Sequence, residues 1–154
     1  MRRHVPQLIC GLVIAAIPSA IAAQQPAAAS AKQVVTPAGT NANPNFSAGI
    51  RVGDMLYVSG QLGLRRDAPD TTIEGQTRAA LENTKRVVEA AGTSMANVVK
   101  CTAFLVNVAD FQGMNRAYRE FFPSEPPARS TVVVAALVVA NAKVEIECIA
   151  AAPK

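Results

Sequence analysis

The chain has 154 residues, 50% of them hydrophobic, with one histidine, three cysteines, no tryptophan and a formal charge of +4. The one histidine is His4, so a chain that loses its first residues has no Ser-His-Asp or Cys-His catalysis and no histidine-ligated metal site. Without a stripe of lysine and arginine, nucleic acid is not an expected partner.

Arg2, Arg3 and His4 form a positive region, Leu8 to Ile17 an apolar one, and Ala20-Ile21-Ala22 a small-x-small cleavage signal. Residues 1–22 therefore read as a cleavable signal peptide, too short to anchor the chain across a bilayer, and the expected location is periplasmic or secreted. Cleavage removes Arg2, Arg3 and Cys10 but no acid, which brings the mature chain close to neutral and leaves no membrane contact. Residues 23–31 (A-Q-Q-P-A-A-A-S-A) have no apolar period and are expected to be a disordered tether. Residues 32–154 make one domain with no internal repeat. Cys101 and Cys148 can pair in an exported chain, or can be small buried hydrophobes on strands, which is the more frequent case.

Within the domain, Ile50-Arg51-Val52 and Met55-Leu56-Tyr57-Val58 flank the turn pair Gly53-Asp54 and predict a hairpin whose second strand ends at Ser59-Gly60-Gln61. Ala80, Thr84, Val88 and Ala91, with Leu81 and Val87 beside them, mark an amphipathic helix from Ile73 to Ala91, stopped at Gly92. Val98 to Val108 reads as a strand. Asp110 is the expected N-cap of a second helix, with Phe111, Met114, Tyr118 and Phe121 on its apolar face and Pro123 as its stop. Tyr118 reads as core. Thr131 to Val139 predicts a buried strand, and Lys143 to Ala150 alternates, with Val144, Ile146 and Cys148 on one face and Lys143, Glu145 and Glu147 on the other.

This order predicts an α+β layer with both helices on one face of the sheet. The apolar run Thr131 to Val139 leaves the other face in need of burial, which one small domain cannot supply, so an oligomer is expected. Ahead of that run, Pro126-Pro127-Ala128-Arg129-Ser130 delivers one cation to the start of a strand, behind two prolines that restrict the backbone. A guanidinium held in that way suits a carboxylate.

Five stretches in order resemble the RidA (YjgF) family: Gly53 to Gln61, Val87 to Gly92, Met114 to Phe122, Pro127-Ala128-Arg129-Ser130 and Val144-Glu145-Ile146-Glu147. The resemblance implies a chorismate-mutase-like α+β domain, a mixed sheet with two helices on one face, assembled as a homotrimer. It also implies hydrolytic deamination of 2-imino and enamine acids, such as 2-iminopropanoate, to 2-oxo acids and ammonia, in a cleft between subunits and with no metal or cofactor. By the same resemblance Arg129 binds the substrate carboxylate, Glu145 orients the attacking water, and Ser59 and Asn115 contribute polar contacts. Phe46 stands where active members carry a tyrosine and keeps the ring without the hydroxyl; Thr131 stands where they carry a cysteine and supplies a hydroxyl for a thiol. Both departures, and an exported location, favour an alternative in which the cleft binds small carboxylates without catalysis. An endoribonuclease activity, reported for some relatives, is disfavoured by the near-neutral mature chain and the missing histidine.

Overall fold

Gly53 adopts φ +59°, the left-handed conformation that the tight turn requires, and joins the two strands of the expected hairpin. The computed structural model describes residues 31–64 and 71–153, so the leader and nearly all of the tether lie outside the described residues. In chain order the elements are β1 (Gln33–Val35), β2 (Gly49–Val52), β3 (Met55–Leu62), α1 (Ile73–Ala90), β4 (Val98–Leu105), α2 (Phe111–Phe121), β5 (Ala128–Val133) and β6 (Val144–Ala151). They form one mixed sheet in the order β1-β2-β3-β6-β4-β5. Only β4 and β5 pair in parallel, and α2 is the crossover that such a pair needs. Because β3 and β4 both run antiparallel to β6, they are parallel to one another, with α1 between them in sequence.

Both helices lie on one face, as the periodicity predicts. The Thr72 hydroxyl caps α1 by accepting from the Gly75 N–H, and Gly92 (φ +79°) ends it while the Thr93 N–H reaches back to Val88 O. Leu81, Val88 and Met114 pack there against Leu56, Leu105, Val144 and Ile146, all buried. The β6 alternation is realised residue for residue, with Val144, Ile146 and Cys148 buried and Glu145 and Glu147 turned to the other face.

Five local expectations are corrected. The strand expected over Val98 to Val108 ends at Leu105, and Val108 begins a 3-10 turn. The strand β1 is additional. The strand after the hairpin runs on to Leu62 through a bulge between Val58 and Gln61, where β3 carries one residue more than β6. Asp110 makes no side-chain cap: Asn107 accepts from the Ala109 N–H to start a 3-10 turn (Val108–Asp110), and Asp110 instead faces Lys143 at 4.0 Å. The strand expected over Thr131 to Val139 starts earlier, at Ala128, and stops at Val133, because its only neighbour β4 stops at Leu105 and offers no further ladder; Val138 is 94% exposed.

Cys101 and Cys148 form a disulfide, their Cα atoms 4.1 Å apart on the central strands β4 and β6. Of the two readings left open by the sequence, pairing is the one realised, and both residues are also buried. The sheet face away from the helices carries exposed Val52, Tyr57 and Val132 beside half-buried Met55, Phe104 and Ile149. The expected apolar second face therefore exists, built from several strands rather than from one long run.

Candidate active site

β5 is an edge strand, and its register sets Arg129 beside Cys101, on the helix-covered face. Its guanidinium reaches over α2. One terminal nitrogen, Nη2, donates to Asn115 Oδ1 at 2.6 Å, and Nη1 lies 3.6 Å from Met114 Sδ. The Cζ atom sits 4.4 Å from the centroid of the Tyr118 ring. Three successive contacts on α2 thus hold the fork in one orientation, by a hydrogen bond, a sulfur contact and a cation–π interaction. Among the described residues no carboxylate lies within ion-pair distance of it; the acids near the helices pair elsewhere, Glu120 with Arg78 and Glu74 with Arg116. A half-buried cation with no anion is an electrostatic demand for one.

Tyr118 is the residue that sequence reading assigned to the core alone. It is 4% exposed and its ring packs on Phe122, but the same ring is also the platform under Arg129. Its buried hydroxyl finds no hydrogen-bond partner among the described residues. Burial pushes its pKa up to about 12, with the Arg129 charge pulling the opposite way, so the phenol is neutral at physiological pH. Only its position three residues after Asn115 on one helix face hinted at the shared site.

A cavity of about 390 Å³ opens at this point, bounded by Asn115, Tyr118, Pro126, Pro127 and Arg129, with exposed Arg119 at its lining. The two prolines that restrict the approach to Arg129 are therefore also its wall. Thr131 follows two residues along β5 on the same face, half-buried.

The remaining expected residues gather elsewhere. Glu145 lies on β6 in register with Leu62 and Phe104, on the face away from the helices. Its carboxylate packs over the β3 bulge, where a Cβ on Gly60 would overlap it. Next to Gly60, the Ser59 hydroxyl donates to Ser47 O at 2.7 Å and so ties the preceding loop to β3. Phe46 in that loop is 56% exposed and lines a second cavity of about 230 Å³ with Gln61, Asn83 and Arg86. Within one chain, then, Arg129, Asn115 and Thr131 form one group and Phe46, Ser59 and Glu145 another. Arg129 and Glu145 stand two strands apart on opposite sheet faces. Among the described residues no group of three or more His, Cys, Asp or Glu side chains could hold a metal ion.

Residues 36–152 match the family model described as endoribonuclease L-PSP. The chain is 41% identical over 111 residues to the chloroplastic Reactive Intermediate Deaminase A of Arabidopsis thaliana, matching 68% of this chain and spanning 57% of that relative's length. It is 40% identical over 124 residues to a 2-iminobutanoate/2-iminopropanoate deaminase of Dermatophagoides farinae, covering 78% of this chain and 96% of that protein. The crystal structure of the E. coli YjgF gene product superposes with a TM-score of 0.71 at 33% identity, and that of E. coli TdcF with bound serine with 0.70 at 32%; each covers 77% of this chain and 98% of the other. A match that spans strands β2 to β6 and both helices, with relatives of this identity, settles the grouping: the chain belongs to the endoribonuclease L-PSP family, which includes RidA (YjgF), and has its chorismate-mutase-like α+β fold.

Proposed function

We propose that the protein hydrolyses 2-imino acids, and the enamines that tautomerise to them, to 2-oxo acids and ammonia. The observation that carries this reading is the Arg129 guanidinium, held by Asn115 and Tyr118, facing a cavity and without a carboxylate of its own. Its fork binds the α-carboxylate and places the imine carbon for attack. Water adds to that carbon as the C=N π pair moves to nitrogen, which takes up a proton. The carbinolamine then loses ammonia as its hydroxyl becomes the carbonyl. No bond to the protein forms, and orientation with modest acid–base help is sufficient. A relative named as a 2-iminobutanoate/2-iminopropanoate deaminase, and one crystallised with serine, support a small amino-acid-like ligand.

Glu145 is the proposed base that orients the water. Since it shares no face with Arg129 within one chain, it acts on substrate held by another copy, and the exposed apolar sheet face supports assembly as a homotrimer. Light scattering should give three copies per particle; a monomer at micromolar concentration would contradict it. Export to the periplasm or beyond is proposed from the leader-like residues 1–22, and the Cys101–Cys148 disulfide, a bond that persists in oxidising compartments, supports it. Mass spectrometry of envelope material should give an N-terminus near Ala23, and recovery with Met1 intact would count against it.

The separation of Arg129 from Glu145, with Phe46 and Thr131 in place of the family's tyrosine and cysteine, favours a second reading, a carboxylate-binding protein without catalysis. Imine generated in situ by an amino-acid oxidase decides between them. Hydrolysis should be faster with the protein than without it and roughly a hundredfold slower in Glu145→Gln, with a much smaller effect in Glu147→Gln. No acceleration by the wild type would leave the binding protein as the reading.

A further inference from the structure

The cavity in front of Arg129 holds a second cation that the reaction described above does not use. Helix α2 carries Arg116 and Arg119. Arg116 bonds Glu74 across to α1, whereas Arg119 has no acidic partner among the described residues and lines the same cavity as Arg129. Among the described residues no aspartate or glutamate lines that cavity. Arg119 lies four residues after Asn115, so their Cβ atoms are about 5–6 Å apart on one helix face. Helical side chains lean towards the N-terminus, which tilts Arg119 back over the turn where Asn115 Oδ1 receives the Arg129 Nη2 donor. Two guanidiniums, Arg119 from α2 and Arg129 from β5, therefore border one open space, and their mutual repulsion is relieved by a dianion more than by a monoanion.

We propose that the substrates favoured by this site are 2-imino dicarboxylic acids, with Arg129 on the α-carboxylate and Arg119 on the distal one. The inference rests on the function proposed above and specifies its substrate class. The imines would come from reactions that oxidise acidic amino acids at the α-carbon, and the hydrolysis is unchanged: water adds, ammonia leaves and a 2-oxo dicarboxylate is released. A cavity of about 390 Å³ has room for a skeleton of four or five carbons. Because Arg119 is exposed, its contribution should be that of a surface ion pair and fade with salt.

The test uses two stable ligands with the same five-carbon skeleton, 2-oxoglutarate and 2-oxopentanoate, titrated calorimetrically into the full protein at low salt. The wild type should bind 2-oxoglutarate more tightly by about fivefold, the upper range for an exposed pair. Arg119→Ala should bring the two affinities together by weakening 2-oxoglutarate, and Arg119→Glu should make 2-oxopentanoate the tighter ligand. Arg129→Ala should weaken both by at least about tenfold. Equal affinities in the wild type, or a preference that survives Arg119→Ala, would overturn the dicarboxylate assignment while leaving Arg129 as the clamp. Binding of both ligands untouched by Arg129→Ala would instead overturn the proposed function and this inference with it.

Discussion

Opening the Cys101–Cys148 bridge perturbs the fold without touching the cavity lining, which makes the cost calculable from chain topology. The bridge closes a loop with a sequence separation of 47 that contains α2 and β5. Loop-closure entropy for a loop of that length gives about 4 kcal/mol of stabilisation, lost when the unfolded chain is no longer cross-linked. For a domain of this size that corresponds to a fall in melting temperature of roughly 10–15 °C. A double Cys→Ala variant would add the loss of two buried sulfurs, so the cleaner comparison is wild type with and without a dithiol reductant at fixed protein concentration, since both forms keep the same atoms in the core. Thiol titration of the denatured, unreduced full chain should find one free thiol, Cys10, out of three cysteines. Three free thiols would mean that the bridge does not form, and melting points within a degree or two of each other that it does not stabilise the fold.

Gly60→Ala should leave the melting temperature nearly unchanged, because its backbone lies outside the left-handed region and its new Cβ meets only the mobile end of Glu145, yet imine hydrolysis should fall by at least about tenfold as that carboxylate is displaced. Gly63→Ala, whose Cβ would meet the α1 backbone at Gln76, should instead destabilise by on the order of 3 kcal/mol, read by urea unfolding. Tyr118→Phe keeps the ring beneath Arg129 and removes an unpartnered buried hydroxyl, so calorimetry should show intact carboxylate affinity and a stability no lower than wild type; Tyr118→Leu should weaken the carboxylate by about fivefold. Hydrogen bonds from Arg78 hold the Glu120 pKa below its ordinary 4.5, so their contribution is complete above that pH and is lost as pH falls through the lower folded value; the melting-point gap between wild type and Arg78→Ala should narrow below about pH 4.5.

What could be read from the chain was whatever is decided locally. The Gly53-Asp54 turn, the α1 period ending at Gly92 and the β6 alternation each depend on residues within one or two turns of one another, and each is found where the residues put it. The end of β5 depends on a partner strand about thirty residues away, so Val134 to Val139 looks like more strand but has no ladder to join. Pairing of Cys101 with Cys148 likewise needs the β4–β6 register, which two isolated strand patterns do not specify. Arg129 stands out by the two prolines ahead of it and Asn115 by the family likeness alone, and the two are found hydrogen-bonded. Tyr118 reads as core because it is core; that its ring also carries a cation follows only from where β5 brings Arg129. Alternation placed Glu145 and Glu147 on one face correctly, but that this is the face opposite Arg129 emerges only from the order β6-β4-β5 and its register.

Whether Arg129 is a carboxylate clamp for imine hydrolysis is tested by kcat/KM for an imine generated in situ in wild type, Arg129→Lys and Arg129→Ala, with the assembly state of each checked by light scattering. Loss of the fork and charge in Arg129→Ala should cost at least about thirtyfold, and Arg129→Lys, which keeps the charge but not the planar pair of donors, should recover only part of it. Equal kcat/KM in all three proteins, each assembled as the wild type is, would mean that Arg129 is no carboxylate clamp.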